Sequence, residues 1–143
     1  MKDEIESKSL PDWRGYLGFG EHSEVFKRLI KAETMPPVIL FKGREGLGKS
    51  ALAAMTAATY LCESQSACGE CDSCQWVMSG QHPEVFWIES EEGKIKIESV
   101  EEMQDFLSLN PEVGTSRIAV IVDADKLITQ AANRLLKTLE EPP

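Results

Sequence analysis

Apolar residues recur along this chain with two different spacings, which predict strands alternating with helices. Three short apolar runs, at 38–41, 85–88 and 118–122, predict buried strands. Elsewhere the apolar residues are three and four positions apart, as on one face of a helix. The apolar positions of the predicted helices are Val25, Phe26, Leu29 and Ile30, then the run 51–58, then Val100, Met103, Phe106 and Leu107, and finally Ala132, Leu135, Leu136 and Leu139.

Residues with side-chain oxygens mark where three of these helices are expected to begin. Ser23 and Thr129 are the predicted N-caps of the first and last helices. Ser99, followed three residues later by Glu102, has the capping-box pattern in which each side chain accepts a hydrogen bond from the other residue's backbone N–H.

The alternation of strands and helices predicts an α/β fold, a parallel sheet covered by helices on both faces. Ligands of such sheets bind at the carboxyl ends of the strands. Residues 1–17 are polar with no sustained period and predict an N-terminal arm, with Trp13 and Tyr16 docked. Residues 18–143 are expected to form one domain, because the length of 143 residues is enough for one core but not for two.

Charge and hydropathy limit where this chain can act. Fifteen basic residues against 24 acidic ones give a net charge of −9, which argues against a protein that binds nucleic acid by itself. No run approaches the roughly 20 apolar residues of a membrane span. The charged start, residues 1–8, lacks the apolar centre of a signal peptide. We therefore expect a cytoplasmic protein with no membrane contact.

The first predicted strand runs directly into a G-x-x-x-x-G-K-S pattern, which is typical of phosphate-binding loops. Glycines let successive backbone N–H groups point at phosphate oxygens, and the helix that follows adds the partial positive charge of its N-terminus. An ordinary glycine-rich turn is the alternative, but the strand before and the helix after favour nucleotide binding. The predicted nucleotide-binding residues are Gly43, Arg44, Glu45, Gly46, Leu47, Gly48, Lys49 and Ser50, of which Lys49 would reach the β- and γ-phosphates and Ser50 would bind Mg²⁺.

An acidic residue at the tip of a neighbouring strand is the usual second Mg²⁺ ligand of such sites. Asp123 directly follows the third apolar run and is the predicted catalytic acid, so that Ser50 and Asp123 together would hold Mg²⁺. Asp125 lies two residues further on. A turn or surface role is the favoured interpretation for Asp125.

All four cysteines lie between residues 62 and 74. Cys62, Cys68, Cys71 and Cys74 can bind one tetrahedral Zn²⁺ through four thiolates, as a closed structural site. An iron–sulfur cluster, a redox role and unliganded thiols are the alternatives, whereas disulfides are disfavoured in the cytoplasm. His82 lies nearby and is expected to pack rather than to bind metal.

Residues 18–143 resemble one family, the AAA+ clamp-loader subunits of bacterial DNA polymerase III, in its delta-prime and gamma/tau group. The resemblance implies a P-loop NTPase domain with a RecA-like parallel sheet, into which the zinc-binding module 62–74 is inserted. The residues that carry it are the P-loop 43–50, the four cysteines, and the segments 80–84, 97–111 and 133–143.

Within this group the chain looks more like delta-prime. Asp123-Ala124-Asp125 is similar to the delta-prime pattern, whereas gamma/tau subunits have Asp-Glu at this strand end. Val122 stands where the Mg²⁺-associated Asp is expected, which predicts weak hydrolysis of ATP or none. Arg44 stands where many members have Pro, and the gap from Cys62 to Cys68 is shorter than usual.

The resemblance implies a delta-prime-like subunit of a hetero-pentameric clamp loader, a component of a nucleotidyltransferase holoenzyme. ATP binding is implied, with Mg²⁺ and a structural Zn²⁺, and with it a role in placing the sliding clamp on primer–template DNA during replication. The chain ends at residue 143 directly after a predicted helix, so we expect a partial domain, and the arginine finger, lid and collar would follow it. An ATP-hydrolysing gamma/tau-type motor is the alternative, and a P-loop kinase or GTPase with a zinc knuckle is a third hypothesis.

Overall fold

The computed structural model describes residues 20–143, and the predicted arm 1–17 lies outside the described residues. The chain divides into two compact units, Met1–His82 and Pro83–Pro143. Three helices form the described part of the first unit: α1 (Gly20–Lys31), α2 (Lys49–Leu61) and α3 (Asp72–Met78). The second unit contains β1 (Val85–Ile88), α4 (Ile97–Ser108), β2 (Ile118–Ile121) and α5 (Thr129–Glu140). No helix in 20–143 is long and apolar enough to cross a lipid bilayer.

The helix α2 forms the centre of the first unit because its residues are small and apolar on nearly every side. Ala51, Ala54 and Ala58 are fully buried, and α1 and α3 both pack against this helix. The hydroxyls of Thr56 and Thr59 donate to carbonyls one turn back, at 2.8 and 2.7 Å, so these buried polar groups stay within the helix. The predicted helical run 51–58 is thereby confirmed.

The predicted strand at 38–41 is wrong. These residues have no regular structure, and the side chains of Val38 and Leu40 are 45% and 71% exposed. A strand requires a hydrogen-bonded neighbour, and the described residues of the first unit contain no other strand. In this segment Phe41 alone packs closely, with its ring edge-on to Phe26 at a centroid distance of 6.0 Å.

The second unit is built around a parallel pair of strands, as the alternation predicted. β1 pairs with β2 in a register that sets Val85 opposite Ile118 and Ile88 opposite Ile121. The connection between them contains α4, which packs on both strands. The prediction that the third apolar run is buried on both faces is wrong, because every residue of β2 is only half-buried. The parallel pair of strands, joined through α4, nevertheless confirms a mixed α/β fold with a small parallel sheet.

All three predicted helix caps are wrong. Ser23 lies inside α1, whereas Lys96 and Ile128 precede α4 and α5. The N-cap residues of α2, α3, α4 and α5 make no side-chain cap hydrogen bond. The reason is packing: Ile97 and Ile128 both contact the core cluster of the second unit, so the chain enters each helix where an apolar residue is buried. Tertiary contact has overridden the local capping signals.

The core of the second unit confirms one predicted helix face and corrects another. Val100 and Met103 of α4 are buried, as predicted. In α5 the fully buried residue is Ala131, with Leu135 half-buried against the core. The other two leucines that were predicted to face inward, Leu136 and Leu139, are 52% and 40% exposed.

A buried carboxylate holds the loop between α4 and β2 in place. Glu84 is fully buried, and its Oε1 accepts the backbone N–H groups of Glu112 and Val113 at 2.6 and 2.9 Å. Its Oε2 pairs with Nε of Arg117 at 2.9 Å. The Arg117 guanidinium also donates to the Phe106 carbonyl at 3.0 Å and lies over the Phe106 ring. Every charged group in this network therefore has a partner.

We predict that Glu84→Gln lowers the free energy of unfolding by about 3 kcal/mol or more, because removing one member of a buried ion pair leaves the other charge unpaired. Chemical denaturation measures the change. Glu112→Gln is the matched control, since it removes the same charge from an exposed side chain of the same loop. A Glu84→Gln protein as stable as this control would contradict the structural role of the network.

Candidate functional site

The glycine-rich loop ahead of α2 adopts backbone angles that favour glycine. Gly46 and Gly48 have φ of 83° and 84°, in the left-handed region where a β-carbon is strained. At Gly43 an added β-carbon would lie 3.1 Å from Cδ1 of Leu47. Residues 43–47 are exposed, so the backbone of this loop is open to a ligand from solvent.

The start of α2 provides a positive electrostatic end that its own side chains leave uncompensated. Gly48 occupies the N-cap position without a side-chain hydrogen bond, and no acidic residue lies in the first turn. The first N–H groups of a helix have no partner within the helix, and the helix dipole places partial positive charge there. An anion such as a phosphate is stabilised by this arrangement.

The side chain of Lys49 folds back over the loop. Its Nζ donates to the carbonyls of Gly43 at 2.7 Å and of Arg44 at 2.9 Å. An ammonium group has three N–H donors, so one remains for an oxygen of a bound anion. The lysine thus closes the loop and places a positive charge beside it, while Ser50 follows in the first turn of α2, half-buried.

Asp123 lies beyond the end of β2, as predicted, and its side chain is exposed. Its backbone has φ of 53°, and its carbonyl accepts the N–H of Lys126 at 2.8 Å, which closes the turn. Ser50 belongs to the first unit and Asp123 to the second. A Mg²⁺ site shared by Ser50 and Asp123 stays a prediction.

Asp125 lies in a short 3₁₀ turn over Ala124–Lys126. Its carboxylate is exposed and lies 3.8 Å from Nζ of Lys126. A surface ion pair of this length contributes little to stability. The favoured interpretation of Asp125 as a turn or surface residue agrees with this position.

The four cysteines converge on one point, which the spacing predicted. Their sulfur atoms all lie within 4.8 Å of one another. The Sγ atoms of Cys68 and Cys74 are 3.9 Å apart, and so are those of Cys62 and Cys71. Four sulfurs placed at the usual Zn–S bond length of about 2.3 Å on a tetrahedron are ~3.8 Å apart. The cluster therefore fits a four-thiolate metal ion, and the nearby His82 does not belong to it.

Local structure explains how the cysteines meet. Cys62 caps the end of α2, Cys71 precedes α3, and Cys74 lies one turn inside α3. Cys68 lies in the turn between these helices, where Gly69 has φ of 76°. The Cys68 sulfur accepts the N–H groups of Glu70 and Cys71, both at 3.4 Å. The turn is thereby shaped around the sulfur that it presents.

The protein environment shifts the thiol pKa values in opposite directions. Burial acts to raise the pKa of Cys62, but hydrogen bonds from the backbone of Cys68, Ser66 and Ser64 and from the Ser64 side chain outweigh it and lower the pKa to about 5. Burial is also the largest effect on Cys74, whose pKa lies above its usual range. A bound dication deprotonates thiols of either kind, because it binds the thiolate form.

Two serines beside this cluster were not predicted from the sequence. The Ser64 hydroxyl lies 3.3 Å from the Cys62 sulfur and 2.7 Å from the Ser66 hydroxyl. Serines are common in turns, so their types carried no specific signal. His82 is buried with its ring edge-on to Trp76 at 5.7 Å, which agrees with the predicted packing role.

Comparison with known proteins places this geometry in a family. Residues 20–143 match the family model described as DNA polymerase III, delta subunit. The chain is 38% identical over 108 residues to DNA polymerase III subunit delta' of Pseudomonas aeruginosa. The aligned region covers 72% of this chain and 33% of that protein. It is 34% identical over 110 residues to subunit delta' of Escherichia coli, covering 73% and 33%.

A tau/gamma subunit is also similar. The chain is 31% identical over 117 residues to DNA polymerase III subunit tau/gamma of Haemophilus influenzae. The aligned region covers 80% of this chain and 17% of that protein. The chain thus spans about a third of the length of the two delta' relatives named above and less of the tau/gamma relative. Because the family model matches all of the described residues, the chain belongs to the DNA polymerase III delta subunit family, with delta' proteins among its relatives.

Proposed function

We propose that this chain is the nucleotide-binding part of a delta-prime-like subunit of the DNA polymerase III clamp loader. The match to the delta subunit family over residues 20–143 carries the proposal. In this role the subunit joins other loader subunits in a hetero-pentamer. The assembled complex places the sliding clamp on primer–template DNA during replication. The chain's net charge of −9 fits a subunit that meets DNA through its assembly rather than alone.

The nucleotide site that we propose is the loop 43–50 on an AAA+ domain. Three features of the loop support it: the left-handed glycines, the uncompensated N-terminus of α2, and the Lys49 ammonium held across the loop. All three favour an anion with several oxygens, as a triphosphate has. ATP is the nucleotide that the family resemblance implies, and Ser50 is the proposed Mg²⁺ ligand.

We propose that hydrolysis of the bound ATP is weak. P-loop enzymes that hydrolyse ATP need a carboxylate that binds Mg²⁺ at the end of an apolar strand. Val122 stands where the family resemblance implies this carboxylate, and it has only an apolar side chain. Asp123, the next residue, begins a tight turn and is exposed. The gamma/tau-type motor is the second candidate, and the similarity to a tau/gamma subunit together with the position of Asp123 favours it.

The structural metal that we propose is Zn²⁺ on the four cysteines. Four thiolates with sulfurs near tetrahedral spacing leave no open position, so this metal would stabilise the turn between α2 and α3 rather than catalyse a reaction. Iron–sulfur clusters use the same ligand type, and metal analysis separates the two. The cytoplasm is the compartment that we propose, because thiolates persist as metal ligands where disulfides are disfavoured.

Reconstitution tests the loader role. We expect a clamp loader assembled from purified subunits to lose clamp loading when the full protein that carries this chain is omitted, and to recover it on addition. With Lys49→Ala in this subunit, ATP turnover by the loader should change less than twofold, since hydrolysis occurs on other subunits. A large loss of turnover would instead support the gamma/tau-type motor, and loading without the subunit would refute the loader role.

The nucleotide site is tested separately by calorimetric titration with a non-hydrolysable ATP analogue, with and without Mg²⁺. We expect Lys49→Ala to weaken binding at least a hundredfold, which corresponds to about 2.7 kcal/mol or more, because it removes the cation that contacts the phosphates. Lys42→Ala removes an exposed positive charge just outside the motif and should change affinity little. Equal affinity of the two variants would refute the P-loop site.

The metal site is tested by elemental analysis and thermal unfolding. We expect one Zn²⁺ per chain in the native protein and its loss in Cys71→Ser. We also expect a loss of several kcal/mol of stability, because metal binding contributes directly to the folding free energy of such modules. Ser73→Ala, on the same helix between two ligands, should retain the metal. Iron in the native protein, or an unchanged zinc content in Cys71→Ser, would contradict this assignment.

A further inference from the structure

The helix α3 presents one aromatic side chain to solvent. Trp76 is 40% exposed, while Cys74 and Val77 on the other side of this helix are fully buried. The ring of Trp76 is held edge-on against buried His82, so its orientation is fixed. A large aromatic ring that is held rigidly and left accessible is typical of the residues that anchor protein interfaces.

The segment of the chain that contains Trp76 is acidic. Asp72 lies four residues before it on α3, and residues four apart share a helix face. Glu63 and Glu70, also in the module between α2 and α3, are exposed acids. Between Lys49 and Lys94 the sequence contains neither lysine nor arginine. The segment 62–78 therefore offers carboxylates and an indole, and it contains no lysine or arginine that would neutralise the carboxylates.

We propose that the α3 face formed by Asp72 and Trp76 docks an arginine-bearing segment of a partner protein. A guanidinium group can stack on the indole and donate two hydrogen bonds to a carboxylate, and these are the two groups present. Arginine fits better than lysine, because its planar group combines stacking with paired donors. The partner is defined by this chemistry, and the inference goes beyond the proposed loader role, since it assigns a contact to the cysteine module itself.

Electrostatics decides against the other ligands that an exposed tryptophan accepts. Single-stranded nucleic acid stacks on aromatic rings, but its binding grooves are positively charged. Anionic membrane surfaces attract basic segments, and this module has none. A cationic peptide is attracted by the net charge of −9 and by the local acids.

The metal-binding turn supports the docking face mechanically. Cys71 and Cys74 belong to the four-sulfur cluster and flank the first turn of α3, in which Asp72 lies. The side chain of Gln75 donates to the carbonyl of Gly69 at 3.1 Å and joins the helix to the turn. Because α3 is fixed at both points, the backbone that carries Asp72 and Trp76 is held before a partner arrives, which reduces the entropy lost on binding.

Calorimetry with defined peptides tests this docking face on the full protein with its metal bound. The probe is a short peptide of alternating arginine and serine, compared with matched lysine–serine and glutamate–serine peptides. We expect the arginine peptide to bind most tightly and the glutamate peptide not at all. Trp76→Ala should weaken the arginine peptide about fivefold, and Asp72→Asn about threefold. Glu102→Gln, which removes an exposed charge from α4, should have little effect.

Nuclear magnetic resonance provides a measurement that needs no variant. We expect the indole N–H signal of Trp76 to shift on titration with the arginine peptide, while that of Trp87 changes less. Metal content and circular dichroism of each variant show whether it is folded. If Trp76→Ala unfolds, Asp72→Asn still tests the proposal. Equal weakening by Glu102→Gln and Asp72→Asn would overturn the proposal. So would a Trp76 signal that responds to single-stranded DNA rather than to the arginine peptide.

Discussion

The close packing of α2 is the constraint on which both candidate sites of the first unit depend. Its alanines at positions 51, 54 and 58 are fully buried, so neighbouring segments approach the helix backbone and fix its rotation. The glycine-rich loop joins one end of this helix, and Cys62 caps the other. A larger side chain at any of these alanines would therefore disturb the loop, the cysteine cluster or both.

The second unit depends instead on one buried carboxylate. Removing Glu84 and Arg117 from water costs free energy, and the structure offsets this by giving each charged group several partners. As a result, the loop between α4 and β2 is fixed by backbone hydrogen bonds to a side chain rather than by strand pairing. The fixed loop leads into the start of β2, and the end of β2 leads into the turn at Asp123.

The proposed role depends on the loop before α2 and on the residue at position 122. In this role the loop before α2 would accept a polyphosphate, whereas Val122 stands where the family resemblance implies a metal-binding acid. A subunit of this kind can bind nucleotide as a structural partner and leave hydrolysis to its neighbours. The proposed docking face on α3 would add a separate point of contact, whose specificity would come from charge and stacking rather than from nucleotide.

The amino-acid sequence by itself determined those features that depend on local chemistry. The convergence of the four cysteines, the helical run after Lys49 and the two strands that pair in parallel could all be predicted. In each case the residue type limits the backbone or the ligand directly, as glycine permits left-handed angles and thiolates bind soft metals. The family resemblance was carried by these same residues.

Only the tertiary structure decided features that depend on distant neighbours. The apolar run 38–41 looks like a strand, but residues 20–82 of its own unit contain no strand that could pair with it. Ser23, Ser99 and Thr129 look like caps, but burial of Ile97 and Ile128 moved the entry into two of these helices. The partners of Glu84 lie 28 to 33 positions along the chain, too far for any local pattern to indicate. A sequence motif specifies a local conformation, whereas the free energy of burial is set by contacts between segments that only the folded chain brings together.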